Sequence, residues 1–316
     1  MYTNLVKVSL QKKTEARMAI LLETKNLSKE YHNVKAVDSF SISMEEGHIY
    51  GIIGPNGAGK TTFFKMLAGL AQPTAGEITV SGNRTIEEYR QKMSFMIEAP
   101  YLYHGMTAME NMKIIGGIKG ETDEKKLQEI LELLNIGNTG KKKVAQFSMG
   151  MKQRLGIAGA LITEPEVLVL DEPMNGVAPE GIAELRHILK KLCEEKHITM
   201  LISSHILGEL SQLSTDFIFI KEGRILDQFR KEDLLNKENG YVQIGTTEND
   251  RLLPYLQKIS EENAIENKGN FYRIKLPDAD VALLSGEITG QGFTITRLLK
   301  ENIELEEYYL ERMVQR

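Results

Sequence analysis

The sequence predicts an α/β fold in which crossover helices connect the strands of a mainly parallel sheet. Short apolar runs alternate with helical patterns along most of the chain, as is typical of such a sheet. A glycine-rich turn follows the apolar run Ile49–Ile53 and leads into a helical pattern. The pattern is mostly helical over 99–161 and alternates again after Phe229. We therefore expect a helical subdomain within the main domain and a small C-terminal α/β domain.

The 316 residues suffice for one large domain and one small one. Residues 1–17 are expected to be an N-terminal extension, because they include basic residues and no apolar run of signal-peptide length. Met18 is accordingly a candidate start of the natural protein. A charged run at Arg230–Asp233 marks the boundary between the domains. The predicted parts are the extension 1–17, the main domain 18–230 with its helical subdomain at about 99–161, and the accessory domain 231–316.

The composition limits the possible classes of protein. Hydrophobic residues make up 41% of the chain and charged residues 26%, as in ordinary soluble proteins. The net charge of −5 argues against a dedicated nucleic-acid-binding protein, which would be basic, so no nucleic-acid partner is expected. No stretch approaches the roughly 20 apolar residues that a transmembrane helix needs. Cys193 is the single cysteine, so no internal disulfide and no cysteine-based metal site can form.

Hydrophobic periodicity predicts the individual elements. The helix after the glycine-rich turn is expected to bury Phe63, Met66, Leu67 and Leu70 on one face. Strands are predicted at Ile49–Ile53, Val167–Leu170, Ile198–Ile202, Phe217–Ile220 and Ile225–Phe229, and in the accessory domain at Tyr241–Ile244, Phe271–Leu276 and Phe293–Leu298. Accessory helices are predicted near Leu252–Ile259, at Val281–Leu284 and through Tyr309.

The residues Gly54–Thr61 match the phosphate-binding pattern G-x-x-x-x-G-K-S/T in full, between a predicted strand and a predicted helix. The glycines let backbone N–H groups surround the phosphates, and the helix N-terminus adds a favourable dipole. Lys60 is predicted to reach the β- and γ-phosphates, and Thr61 to ligate Mg²⁺. The ATP-binding residues predicted in this segment are Gly54, Pro55, Asn56, Gly57, Ala58, Gly59, Lys60, Thr61 and Thr62.

The apolar strand Val167–Leu170 ends in two carboxylates, Asp171 and Glu172. Beside a phosphate-binding loop, a carboxylate at a strand end can hold Mg²⁺ through water, which is the role predicted for Asp171. Glu172 is then placed to orient or deprotonate the attacking water. Two acids after a strand would otherwise indicate a solvated turn. Their combination with the phosphate-binding loop favours hydrolysis of ATP.

With these motifs in this order, the chain from about Leu22 to Phe229 resembles the nucleotide-binding subunits of ATP-binding-cassette (ABC) transporters. The resemblance implies a P-loop NTPase core of the cassette-ATPase type. It also implies that ATP and Mg²⁺ bind between two such subunits, here expected to form a homodimer. Integral-membrane permease subunits are implied as partners, and they would hold the chain at the cytoplasmic face of the cell membrane.

The segment Phe147–Arg154 resembles the family's signature, which contacts the nucleotide held by the partner subunit. It departs from the usual L-S-G-G-Q at three positions but retains Ser148 and Gly150. The resemblance implies that Ser148 donates to the γ-phosphate and that Gly150 allows close approach of the backbone. Serine before a helix also serves as an N-cap, and the two roles are compatible.

Two further residues match family positions. His205, which follows a predicted strand, matches the catalytic switch histidine that senses the γ-phosphate. Tyr31 matches the aromatic residue that stacks on adenine, although a tyrosine there could equally pack in the core.

Two departures from the family pattern concern the loops around the site. Glu98 stands where the family usually has glutamine, and it is predicted to contact both ATP and the metal or, alternatively, to face solvent. Ala178 ends the segment Asn175–Ala178, where the family usually has aspartate. Three features, namely Glu98, the continuation Lys152–Arg154 and the α/β tail after Phe229, resemble a branch of the family that exports bacteriocins, lantibiotics and bacitracin-type antibiotics or protects against them. The alternatives are a soluble cassette ATPase acting on nucleic acid or ribosomes, a nutrient-importer subunit, and a regulatory module without turnover.

Overall fold

The computed structural model describes residues 20–82, 84–235, 240–259, 265–276, 281–302 and 304–314. The predicted extension, residues 1–17, and the candidate start at Met18 lie outside the described residues. The chain divides into two compact units between Asp227 and Gln228, a few residues before the boundary predicted from the sequence.

The first unit contains two sheets. An antiparallel sheet in the order β2-β1-β4 consists of β1 (Ile20–Tyr31), β2 (Val34–Glu45) and β4 (Ala75–Val80). A six-stranded sheet in the order β5-β6-β7-β3-β8-β9 consists of β3 (Ile49–Ile53), β5 (Met93–Met96), β6 (Val167–Leu170), β7 (Thr199–Ser204), β8 (Asp216–Lys221) and β9 (Arg224–Arg230).

The strands that carry the predicted site run parallel. β3 pairs in parallel with β7 and β8, and β6 pairs in parallel with β5 and β7. All residues of β3, β6 and β7 are buried, which explains why continuous apolar runs revealed these strands in the sequence. Because the carboxyl ends of parallel strands meet at one edge of a sheet, the segments after β3, β6 and β7 lie close together.

The helices of the first unit are α1 (Lys60–Leu67), α2 (Ile86–Tyr89), α3 (Ala108–Lys119), α4 (Glu124–Leu133), α5 (Met149–Leu161), α6 (Pro179–Lys196) and α7 (Leu207–Ser211). Helices α3, α4 and α5 occupy the stretch expected to be helical and pack against one another. Within the described parts of the chain, no helix is both long enough and apolar enough to cross a lipid bilayer.

One prediction for the first helix is wrong. Phe63, Met66 and Leu67 are fully buried, whereas Leu70 is 72% exposed. Helix α1 ends at Leu67, and Gly69 adopts a left-handed φ of 77°, so the chain turns away before Leu70. The helical periodicity therefore does not extend to this residue.

The second unit has a β-α-β-β-α-β arrangement of the ferredoxin-like type. Its antiparallel sheet has the order β11-β12-β10-β13. The first and third strands of the unit along the chain, β10 and β12, are neighbours at the centre of the sheet. The elements are α8 (Lys231–Leu235), β10 (Gly240–Thr246), α9 (Asn249–Ile259), β11 (Ile265–Asn267), β12 (Tyr272–Lys275), α10 (Val281–Gly290), β13 (Ile295–Asn302) and α11 (Leu305–Val314).

The two faces of this second sheet differ in character. One face packs Val242 and Ile244 against apolar residues of α9 and α10, such as Leu256 and Ile288. The opposite face contacts α11 through charged side chains, because Arg273 of β12 pairs with Glu307 of α11. Strand β11, with three residues, was not predicted from the sequence.

Candidate functional site

The phosphate-binding loop connects β3 to α1 and requires glycine at two positions. Gly59 has a φ of 108°, and a Cβ atom on it would lie 2.3 Å from the carbonyl oxygen of Ala36. A Cβ atom on Gly54 would lie 2.3 Å from the carbonyl oxygen of Ile220. Both distances are far shorter than a van der Waals contact, so only glycine allows this path of the backbone.

Lys60 is the first residue of α1, and its side chain turns back into the loop. The residue is 6% exposed, and Nζ donates to the carbonyl oxygens of Gly54 at 2.6 Å and Pro55 at 3.2 Å. The ammonium group therefore lies inside the curve of the loop, beside the N-terminus of α1. Both features favour an anion such as a phosphate group.

Two residues from other elements donate to Asp171, which follows β6 and is 3% exposed. The Thr61 hydroxyl donates to Asp171 Oδ2 at 2.7 Å, and the Ser203 hydroxyl donates to Asp171 Oδ1 at 2.6 Å. The backbone N–H of Glu172 donates to the same Ser203 oxygen at 2.9 Å. Ser203, at the end of β7, thus holds both acids of the pair in position, a role that the sequence did not reveal.

Glu172 lies between two other predicted site residues. Its Oε2 atom is hydrogen-bonded to Nδ1 of His205 at 2.7 Å, and its Oε1 atom lies 3.2 Å from Lys60 Nζ. The approach of Lys60 lacks hydrogen-bond geometry, so Oε1 is buried without a hydrogen-bond partner. The backbone of Glu172 has a φ of 50°, a left-handed conformation that costs a non-glycine residue about 1 kcal/mol or more and is concentrated at active sites.

Thr61 and Asp171 fit a magnesium ion. Their oxygen atoms lie 2.7 Å apart, and hydroxyl and carboxylate oxygens are the hard ligands that Mg²⁺ prefers. In the described residues, no group of three or more histidine, cysteine, aspartate or glutamate side chains is arranged to hold a metal. A magnesium ion at Thr61 and Asp171 would therefore depend on additional oxygens, such as those of ATP phosphates.

Glu98 follows β5, and its carboxylate is paired with a residue that the sequence did not single out. Lys65 Nζ donates to Glu98 Oε1 at 2.8 Å, and this hydrogen bond raises the pKa of the lysine. The Glu98 side chain is 58% exposed, and its backbone has a left-handed φ of 65°. The predicted contacts of Glu98 with ATP and metal stay predictions.

Tyr31, the last residue of β1, presents its ring at the surface. The residue is 42% exposed, and the Lys29 ammonium lies 4.9 Å from the ring centroid. A tyrosine with this exposure is not part of the core. Its flat apolar ring is open to a stacking partner such as adenine.

The signature residues lie at the start of α5. Ser148 is the exposed N-cap of this helix, and its hydroxyl accepts a hydrogen bond from Met151 N at 3.3 Å. A Cβ atom on Gly150 would lie 3.1 Å from Val177, so the signature packs beside the segment that ends in Ala178. Among the described residues, no hydrogen bond joins Ser148 to the phosphate-binding loop. The structure brings together Lys60, Thr61, Asp171, Glu172 and His205, but not the signature.

The family that known proteins of similar sequence belong to agrees with the geometry of this site. The family model described as "ABC transporter" matches residues 37–175. The ABC transporter ATP-binding protein YcbN of Bacillus subtilis (strain 168) is 37% identical over 299 residues, which cover 93% of this chain and 97% of YcbN. The bacitracin transport ATP-binding protein BcrA of Bacillus licheniformis is 34% identical, with 93% of this chain and 97% of BcrA covered.

A third relative matches a shorter part of the chain. The lantibiotic transport ATP-binding protein SrtF of Streptococcus pyogenes is 42% identical over 207 residues, which cover 65% of this chain and 89% of SrtF. The matches to YcbN and BcrA leave fewer residues unmatched than the second unit contains, so both extend into that unit.

Solved structures of ATP-binding cassettes match a part of the chain that is about as long as the first unit. The ADP conformation of MJ1267, an ATP-binding cassette of an ABC transporter, has a TM-score of 0.61 and 28% identity, and the match covers 68% of this chain and 93% of that one. A dimeric post-hydrolysis state of the cassette MJ0796, bound to ADP and Pi, has a TM-score of 0.60 and 25% identity, with 66% and 98% covered.

Proposed function

Because the chain belongs to the ATP-binding subunits of ABC transporters, we propose that it powers export of, or self-protection against, peptide antibiotics of the bacitracin or lantibiotic kind. The chain is an ATPase, which hydrolyses ATP to ADP and phosphate. The similarity to BcrA along nearly the whole of both chains supports the proposed substrate class. The similarity to SrtF supports the same class over a shorter length.

For hydrolysis, the buried Oε1 atom of Glu172 carries the proposal, because it is an acceptor without a hydrogen-bond partner beside the phosphate-binding loop. We assign Glu172 as the base that takes a proton from the attacking water. The water oxygen bonds to the γ-phosphorus as the bond to the ADP oxygen breaks. His205 keeps the carboxylate oriented through its 2.7 Å hydrogen bond.

Lys60 and the acid pair prepare the site for the phosphates. Lys60 would exchange the carbonyl oxygens of Gly54 and Pro55 for oxygens of the β- and γ-phosphates, which bind an ammonium group more strongly because they are charged. Thr61 and Asp171 would hold Mg²⁺. When bound, this ion neutralises charge on the phosphate oxygens and favours transfer of the phosphoryl group to water.

The second half of each site is proposed to come from another copy of the chain. ABC ATPase subunits bind ATP, dimerise and work with membrane permeases. Ser148 is exposed at the N-terminus of α5, so it is accessible to a phosphate held by a partner. Tyr31 would stack on the adenine of the chain's own ATP, which gives weak selectivity for the base.

The permease is proposed to dock next to Glu98, on the helical part of the first unit. Tyr101 is 90% exposed and lines a cavity together with Pro100, Ile115 and Gly156. An exposed aromatic residue beside an apolar cavity is typical of a protein contact surface. Docking there would place the chain at the cytoplasmic face of the cell membrane.

Co-expression of the chain with its cognate permease, in an antibiotic-sensitive host, tests this function. The minimal inhibitory concentrations of bacitracin and of a lantibiotic should rise with the wild-type pair and not with the Glu172→Gln pair. Wild-type resistance equal to that of the Glu172→Gln pair for both antibiotics would exclude the proposed substrate class.

A further inference from the structure

Lys65 lies on the same face of α1 as Thr61. The two residues are four positions apart, which places them about one helical turn, roughly 6 Å, apart along the axis. Thr61 donates to Asp171, and Lys65 donates to Glu98. Strands β5 and β6 pair at Met96 and Leu170, so Glu98 and Asp171 follow neighbouring strands at the same edge of the sheet.

The contact between Lys65 and Glu98 is strong enough to orient the glutamate but weak enough to exchange. The N–O distance is 2.8 Å, and the side chains are 37% and 58% exposed. Ion pairs this accessible to water contribute at most about 1 kcal/mol. The hydrogen bond to Glu98 is the main cause that raises the pKa of Lys65, and Tyr31 and Asp171 contribute less.

We propose that Lys65 is a positioning residue that competes with the nucleotide-associated divalent cation for the Glu98 carboxylate. This inference rests on the proposed MgATP site. Glu98 pairs with Lys65 in one arrangement and releases it to turn towards Thr61 and Asp171 in the other. The competition depends on a carboxylate at position 98, because a glutamine amide binds a lysine and a hard cation more weakly than a charged oxygen does.

The test is a Mg²⁺ titration of ATP binding, followed with a fluorescent ATP analogue in full-length Glu172→Gln protein so that hydrolysis does not interfere. Lys65→Met removes the charge of the side chain and keeps an apolar stem of similar length. We expect it to lower the Mg²⁺ concentration for half-maximal binding about twofold to fivefold. Lys65→Arg keeps the ion pair and should leave that concentration within about twofold of the parent.

The same substitution combined with Glu98→Gln separates competition for the carboxylate from a general effect of charge. If Lys65 acts through Glu98, Lys65→Met should shift the Mg²⁺ midpoint by less than about 1.5-fold when residue 98 is glutamine. An equal shift with glutamate and with glutamine would show a direct effect on the cation and would overturn the inference. A parent protein that binds the analogue equally with and without Mg²⁺ would instead overturn the proposed magnesium site itself.

Discussion

Lys60 in the first unit and Arg273 in the second are both buried cations beside glutamates, but their sets of partners differ. Nη1 and Nη2 of Arg273 donate to the two carboxylate oxygens of Glu307 at 2.5 and 2.6 Å, and Nε donates to Glu301 at 3.1 Å. The guanidinium also lies 3.5 Å from the centroid of the Tyr241 ring. Lys60, in contrast, donates to backbone carbonyls and approaches a Glu172 oxygen that has no hydrogen-bond partner.

This difference separates a structural cluster from a reactive one. The glutamates raise the pKa of Arg273 above its usual value, chiefly through the hydrogen bonds with Glu307, and they fix α11 on the sheet. Each of the three guanidinium nitrogens of Arg273 donates to a carboxylate of the same unit, so its charge is matched within the fold. In the first unit, Glu172 Oε1 is a buried acceptor without a hydrogen bond, and the Lys60 ammonium can exchange its carbonyl partners for a charged ligand. A charged substrate can therefore bind there.

Replacing the Glu172 carboxylate should have the largest effect. In Glu172→Gln, the amide keeps the shape of the side chain but cannot act as a base, so kcat should fall by about 10²- to 10⁴-fold. ATP affinity should be retained, and size-exclusion chromatography with ATP and Mg²⁺ should show an accumulated dimer. Hydrolysis at a rate near that of the wild type would contradict the role of Glu172. A dimer that forms equally without nucleotide would point to the second unit as the dimerising element.

Removing the charge of Arg273 should lower the stability of the second unit and leave the ATPase activity unchanged. Arg273→Met leaves Glu301 and Glu307 together without this counter-charge, and because their side chains are 32% and 35% exposed, the loss should destabilise the second unit by about 1–2 kcal/mol. Hydrogen exchange of the peptides that span β10 and α11 measures this loss, and Arg273→Lys should give an intermediate value. The matched change Lys60→Met should abolish tight ATP binding, because it removes the charge that meets the phosphates, and Arg273→Met should leave ATP binding unchanged. Loss of ATP binding in Arg273→Met, or its retention in Lys60→Met, would refute the contrast between the two clusters.

The hydroxyl of Ser203 offers a smaller test within the reactive cluster. Ser203→Ala removes a hydrogen bond to Asp171 and leaves the Glu172 N–H unsatisfied, so kcat should fall about tenfold to hundredfold. Ser204→Ala is the matched control, because Ser204 is equally buried but donates to Glu209 instead of the acid pair. Steady-state kinetics of the two variants should differ by about tenfold. Similar rates for both would mean that Ser203 acts through general packing alone.

The residues that the sequence revealed share two properties, a recognisable spacing and a place at the ends of parallel strands. The phosphate-binding loop, Asp171, Glu172 and His205 follow β3, β6 and β7, so the topology of the sheet brought them together as expected. The continuous apolar runs of β3 and β6 allowed these strands to be predicted with their bounds unchanged.

The residues that the sequence did not reveal lack such a pattern. Ser203 acts through two hydrogen bonds and Lys65 through one, and no spacing indicates these contacts. Strand β1 contains several register shifts relative to β2, which interrupt the alternation of buried and exposed residues from which a strand is predicted. Arg273 is a charged residue on a strand, a pattern that normally indicates a solvent-facing position, and its burial depends on the later helix α11.

The smallest expected effect concerns the N-terminus of α6, which we compare with that of α3. Thr107 caps α3 by accepting a hydrogen bond from Glu110 N, whereas Ala178 leaves α6 without a side-chain cap. Ala178 has the extended backbone of an N-cap, with φ −66° and ψ 153°, so an aspartate fits there without strain. Ala178→Asp should therefore raise the free energy of unfolding by about 1 kcal/mol, measured by denaturant titration. Ala178→Asn supplies a neutral cap and should give a similar gain, which separates the hydrogen bond from the favourable charge at the helix N-terminus.

ATPase activity of the same variants shows whether the aspartate also contributes across the dimer interface. A rise in kcat for Ala178→Asp but not for Ala178→Asn would assign that contribution to the charge, while unchanged stability in both would mean that the end of α6 is already satisfied by water.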